Sequence, residues 1–179
     1  MSEEIVPCVD SEGRFIGNVP RSSLDQEGCK QFCRAVHCVF VRKREKIEIA
    51  VAVRSHGKKR WPGCYDFTAS GVIAEGELPI TTMRRENAEE LGLDPKDLTA
   101  VHEWMPNDGF NSQSWVYVSR WPEEDLMPFN ETDIARIEWM TPSELVEAAK
   151  AAIPMKPDLR SYVLSPMWPG FVKAAEEKL

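Results

Sequence analysis

Glu86, Glu89 and Glu90 fall within one turn of a segment that the sequence predicts to be helical. Pro79 suits a first helical turn, the residues from Ile80 to Leu91 are rich in helix formers, and Gly92 supplies a stop. At about 100° per residue the three carboxylates share one face. Like charges at that spacing repel, each pair destabilising an isolated helix by a few tenths of a kcal/mol. A cation among them would remove that cost. Oxygen-only ligands suit Mg2+ or Mn2+, which bind through a few carboxylates and complete their shells with water and substrate phosphate oxygens. The natural chemistry is cleavage of a diphosphate bond. Taken without context, the same acids would read as a solvated helix face. The context is a strand-like run, Tyr65 to Ala69, and a glycine-containing turn from Gly71 to Gly76 that leads into the helix.

The wider pattern is Gly71, five residues, Glu77, seven residues, then Arg85-Glu86-Asn87-Ala88-Glu89-Glu90-Leu91-Gly92-Leu93. It resembles the Nudix box, with Gly71, Glu77, Arg85, Glu86, Glu89, Glu90, Gly92 and Leu93 in register. The resemblance implies an α/β/α sandwich with a mixed sheet, and a hydrolase that attacks phosphorus with water. Glu86, Glu89 and Glu90 would hold one to three divalent cations, with the backbone carbonyl of Ser70 as a further ligand. Such cations neutralise non-bridging oxygens and lower the pKa of a bound water. Arg85 would orient and charge-balance the glutamates, and Glu77 would stabilise the loop-helix geometry. The general base would be a box glutamate or a loop acid; Asp133 is the loop candidate and Glu131 its reserve. Two positions depart from the family pattern. Asn87 stands where an aliphatic residue is preferred, so a buried amide there needs a hydrogen-bond partner or costs about 1 to 3 kcal/mol. Ser70 stands where glycine is common.

Outside the box, Val9-Asp10 with Gly13 and Gly17, Arg34-Ala35, and Lys58-Lys59-Arg60-Trp61-Pro62-Gly63 resemble the branch of the family containing isopentenyl-diphosphate isomerase. This resemblance covers roughly residues 5 to 150. The isomerase machinery does not carry over. Its catalytic cysteine aligns with Ser70, its metal histidines with Val72 and Cys33, and its acidic pair with Asn111 and Gln113. Protonating an alkene needs an acid held against the substrate, and neither Ser70 nor Asn111 supplies one. The other alternative is a nucleotide- or diphosphate-binding module that retains the fold without turnover. Three clustered glutamates argue for a working metal site.

Lys58, Lys59, Arg60 and Trp61 are the substrate-binding candidates, because lysine is a usable phosphate point charge and tryptophan offers a flat stacking face. The competing reading is an exposed basic loop with Trp61 anchored in the core. Trp104, Phe110, Trp115 and Trp121 flank later strands and read as core before pocket. His56 and His102 show no partner pattern. Cys29, Cys33, His37 and Cys38 invite a zinc reading, but His37 and Cys38 on one strand would point to opposite faces.

The chain has 179 residues, 42% hydrophobic and 28% charged, which fits one domain spanning 1–179 with a substantial core. Its net charge of -7 argues against a general surface for nucleic acid polymers. No apolar run approaches the roughly 18 residues of a membrane span, and Met-Ser-Glu-Glu is no signal peptide. Five cysteines, an odd number, fit reduced thiols, and the expected location is cytoplasmic. The expected partner is a small-molecule diphosphate. Enzymes of the resembled family are often dimers, which keeps a homodimer open.

The elements that must position the glutamates read as follows. An N-terminal hairpin pairs Ile5 to Val9 with Phe15 to Val19 across Asp10-Ser-Glu-Gly13, and a second pairs Ala35 to Arg42 with Ile47 to Val53. After the helix Pro79 to Leu91, strands run from Leu98 to Met105, Ser114 to Arg120 and Ile134 to Met140. Thr141-Pro142-Ser143-Glu144 opens a helix with a capping-box pattern, and Pro166 to Lys178 forms the last. Strands with helices at irregular intervals imply an α/β sandwich and no doubly wound sheet.

Overall fold

The computed structural model of the protein describes residues 5–25, 31–106, 112–122 and 129–179. Its organising element is β3 (Phe32–Lys43), twelve residues long and buried along most of its length. One edge pairs in parallel with β8 (Ser112–Arg120) from Cys33 to Val41. The other edge is shared in succession by β1 (Ile5–Val9), β6 (Ala69–Val72) and β4 (Ile47–Arg54), all antiparallel. The N-terminal hairpin joins β1 to β2 (Phe15–Pro20), β4 carries β5 (Tyr65–Asp66) and β9 (Ile134–Met140), and β7 (Thr99–Trp104) pairs with β8. The result is a mixed sheet.

Side-chain alternation along the central strands gives the sheet two apolar faces. Val39, Val41, Ile49, Val51, Val116 and Val118 face α2 (Pro142–Lys150), α3 (Pro157–Val163) and α4 (Trp168–Lys178), through Leu145, Leu159, Tyr162, Trp168 and Phe171. Val36, Cys38, Phe40, Ala50, Ala52 and Tyr117 face α1 (Pro79–Leu91) through Met83 and Leu91. Helices therefore cover both faces, as an α/β/α sandwich requires. None of the described helices is long and apolar enough to cross a membrane.

Local chemistry sets the helix ends where the sequence signals them. Pro79 opens α1, and Gly92 closes it in the left-handed region at φ 63°, with Gly92 N–H donating to the Ala88 carbonyl and Leu93 N–H to that of Asn87. Thr141 caps α2 in a complete capping box with Glu144. Three features differ from the sequence reading. The expected strand from Tyr65 to Ala69 is two strands, because the chain leaves β4 and joins β3 at Phe67-Thr68. Thr68 Oγ1 bridges that crossing, accepting from Phe40 N–H at 3.1 Å and donating to the Ala50 carbonyl at 2.5 Å. The last helix begins at Trp168, two residues after Pro166. Helix α3 escapes the sequence reading because its seven residues are too few for a clear 3.6-residue period.

Candidate active site

The box segment brings β6 against α1. At Gly71 the strand backbone passes so close to the helix that an added Cβ would lie 2.1 Å from Glu86 Cδ and Oε1. Glycine is what lets the Glu86 carboxylate approach the strand. One residue earlier, Ser70 N–H donates to Glu90 Oε2 at 3.0 Å. The i,i+4 spacing of Glu86 and Glu90 thus becomes two half-buried carboxylates lying along the end of β6, while Glu89 stays exposed.

Arg85 ties the loop to the helix. Its Nε and Nη2 donate to the two Glu77 oxygens at 3.2 and 3.3 Å, and its Nη1 lies 2.7 Å from Glu86 Oε1 and 3.1 Å from Glu89 Oε2. Glu77 also accepts from Thr82 Oγ1 at 2.8 Å and from Ala74 N–H at 3.3 Å. These bonds, led by Arg85, hold the Glu77 carboxyl below the usual carboxylate range. Glu86 and Glu90 behave in the opposite way. Burial raises Glu86 against the pull of Arg85. Burial also pushes Glu90 up to about 7, assisted by the negative charges of Asp66 and Glu86 and opposed by Ser70 N–H and Lys58. For Glu90 desolvation outweighs its one charge-assisted hydrogen bond.

Two half-buried, mutually repelling carboxylates with oxygen-only donors fit a hard divalent cation. Among the described residues no three His, Cys, Asp or Glu side chains stand close enough together to hold a metal ion by themselves. Mg2+ and Mn2+ take few protein ligands and complete their shells with water and phosphate oxygens.

Asp133 stands just before β9 and pairs with Lys58, while Asn130 Nδ2 donates to its second oxygen at 2.7 Å. Its loop is joined to α1 by Asn130 N–H, which donates to the Glu90 carbonyl at 2.8 Å. The structure therefore brings Asp133 and Lys58 beside the glutamate end of α1. Glu131 is exposed in the same loop. Lys59, Arg60 and Trp61 lie on the loop between β4 and β5, where the Arg60 carbonyl accepts from Arg54 Nη2 at 3.1 Å. Trp61 is 44% exposed with φ 54°, so it is not the core anchor of the competing reading.

Trp104 is fully buried, and Trp115 and Trp121 pack against the core under α1. Phe110, Asn111 and Cys29 lie outside the described residues. His37 and Cys38 do face opposite sides of the sheet, and no zinc cluster exists among the described residues. Asn87 corrects an expectation. It is fully buried, yet neither amide atom has a hydrogen bond of ordinary length. The Cys38 thiol is its polar neighbour, raised by burial and drawn the other way by the amide.

Sequence reasoning missed two groups. Asp66, nearly buried, accepts from Arg54 Nη1 at 2.8 Å and from Lys156 Nζ at 3.2 Å, and it adds negative potential at Glu90. His37 bonds to Ser70 and Ser114. Neither carries a local spacing signal, since their partners are distant in the chain.

The NUDIX domain family model matches residues 31–162. The chain belongs to the Nudix family. An uncharacterized Nudix hydrolase of Rhodococcus erythropolis, orf19, is 30% identical over 93% of this chain and 94% of its own length. The isopentenyl-diphosphate Delta-isomerase of Corynebacterium glutamicum is 24% identical over 83% of this chain and 82% of that protein. Among solved structures, DR0079 from Deinococcus radiodurans superposes with a TM-score of 0.76 at 25% identity, covering 89% of this chain and 97% of that one. The Nudix fold and the box geometry thus agree, and relatives include both hydrolases and an isomerase.

Proposed function

We propose that the protein hydrolyses the diphosphate linkage of a nucleoside-diphosphate-linked or similar small molecule, with Mg2+ or Mn2+ held by Glu86, Glu89, Glu90 and the Ser70 carbonyl. The observation that carries this reading is Glu90. Its half-buried carboxylate, aligned by Ser70 N–H and crowded by Glu86 and Asp66, is costly without a cation. When bound, the metal supplies charge neutralisation at the phosphate oxygens and acidifies a water. The protein's own contributions are distinct. Arg85 keeps Glu86 and Glu89 in register and links them to Glu77. Lys58, Lys59 and Arg60 offer positive charge to the phosphates, and Trp61 an exposed ring to a base. A box glutamate or Asp133 takes the proton from the attacking water. Asp133 supports this role through its place beside the helix end and its contacts with Lys58 and Asn130.

The isomerase reading lacks support at the same position, where a serine hydroxyl bonded to His37 stands in place of the catalytic cysteine. The test is phosphate or nucleotide release from a panel of nucleoside triphosphates, nucleotide sugars, dinucleoside polyphosphates, coenzyme A-type molecules and prenyl diphosphates. Release that requires the metal, stops with chelator and is lost in Glu89→Gln is the expected result. A folded protein that binds these compounds without turnover would replace the hydrolase reading with a binding module.

A further inference from the structure

Strand β9 forms one edge of the sheet. Its inner side pairs with β4, and among the described residues no strand pairs with its outer side. The hydrogen bonds around β4 show which backbone groups that outer side offers. Arg54 N–H donates to the Cys64 carbonyl and the Arg54 carbonyl accepts from Gly63 N–H, so Arg54 turns its backbone groups toward β5. By alternation Val53 and Val51 turn theirs toward β9, where they stand opposite Arg136 and Glu138. The N–H and carbonyl of Ile137 therefore point outward, away from β4.

The side chains on either side of Ile137 carry opposite charges. Glu138 accepts from Tyr65 Oη at 2.7 Å and from Arg136 Nε at 2.8 Å, and the Arg136 side chain is 57% exposed. Beside the Met140 end of the edge lies an open groove of about 620 Å³ with an apolar lining of Trp139, Met140, Ala148, Ala151 and Ile153. Its two acids are engaged within the chain, Glu144 in the capping box and Glu147 with Lys150.

We infer that the outer edge of β9 docks a second copy of this chain, antiparallel to itself about a two-fold axis at Ile137. In that register the two Ile137 residues exchange both backbone hydrogen bonds. Arg136 of each copy then stands opposite Glu138 of the other, in the ladder's closer, non-hydrogen-bonded pairs. An axis at Arg136 or at Glu138 would set like charges face to face, and an axis at Trp139 would leave the two charges unmatched. The edge thus selects one register by charge and disfavours its neighbours. Such a contact uses the same surface on both copies and closes at two. The register shift between Val53 and Arg54 passes over Ala135, so the regular run beside Ile137 is short and the dimer is expected to dissociate on dilution.

Sedimentation velocity of the full chain over a dilution series tests this. The wild type is expected to pass from dimer to monomer as it is diluted. Arg136→Glu faces carboxylate with carboxylate in both symmetry-related pairs and should raise the dimer dissociation constant roughly tenfold or more. Glu138→Arg should do the same, and the double variant Arg136→Glu/Glu138→Arg should return it to within about threefold of wild type. A wild type that stays monomeric at every concentration, a dimer indifferent to Arg136→Glu, or a double variant no better than the single ones overturns the inference. Amide hydrogen exchange gives a readout on the unaltered protein. The Ile137 amide is expected to exchange fast in dilute solution and slowly in concentrated solution. Protection at every concentration would place another segment on this edge and would equally overturn the second copy as its occupant.

Discussion

The two faces of the sheet solve different problems. Beneath α2, α3 and α4, Tyr162 contacts Phe67, Trp104, Trp168 and Phe171 with ring centroids 5.2 to 5.9 Å apart, and its hydroxyl lies 2.7 Å from His102 Nδ1. Large rings fill space and the Tyr162 hydroxyl finds its partner in His102, which is how a face contributes stability. Beneath α1 the packing is looser in chemistry. Asn87 is buried with the Cys38 thiol as its polar neighbour, and Glu86 and Glu90 are drawn out of water toward each other. The lesson is that unfavourable terms are concentrated on the one helix that carries the acids, while the opposite face offsets them.

The largest expected effect falls on α1. Glu89→Gln and Glu90→Gln should each reduce turnover by roughly a thousandfold or more, the scale associated with removing a principal electrostatic element. Thermal unfolding should show both variants folded, and wild-type-like rates in either would dissolve the contrast between the faces. Phe171→Ala should do the reverse, destabilising by about 3 to 5 kcal/mol because it leaves a cavity in a fully buried site. Denaturant titration measures this, with turnover per folded molecule unchanged.

A smaller effect concerns pH. Burial raises the Glu90 carboxyl in the folded state to about 7 from an ordinary 4.5, so the folded protein retains a proton that the unfolded chain releases. Relative to Glu90→Gln, metal-free wild type should therefore lose stability as pH rises from about 4.5 to 7, by about 3 kcal/mol in total, and no further above that. Comparing the two proteins removes the contribution of His37, whose lowered pKa acts in the opposite direction as pH falls. Saturating Mg2+ should flatten the difference, since a cation displaces the proton. The smallest effect is Asn87→Leu, which should stabilise by about 1 kcal/mol by removing an unpaired amide at similar volume. Destabilisation in that variant would show that the amide has a partner, and would sharpen the account of the α1 face.

Much of the site was legible in the chain because its signals are local. Pro79, Gly92 and the i,i+4 glutamates specify a helix, its ends and its acidic face through backbone geometry alone, and Thr141 with Glu144 does the same for α2. The alternating and apolar runs of β1, β4 and β9 likewise specify strands. The role of Gly71 could be anticipated from the box, but its cause, the Glu86 side chain pressed on the strand, exists only once β6 and α1 meet.

Other features had no local sign. Asn87 is four residues from Met83 and from Leu91, so its burial could be anticipated, yet its polar neighbour, the Cys38 thiol, depends on what β3 places opposite it. Asp66 gains Arg54 across the β4–β5 pair and Lys156 from before α3, and Lys58 meets Asp133 across 75 residues. The parallel register that sets Ala35 beside Ser114 brings Ser114 to His37 across 77 residues. The sequence by itself determined the helix, its carboxylates and the class of cation they suit, because those depend on spacing within a few residues. Tertiary structure decided which carboxylate is desolvated and which acid is paired, because burial and long-range partners exist only after the strands have assembled.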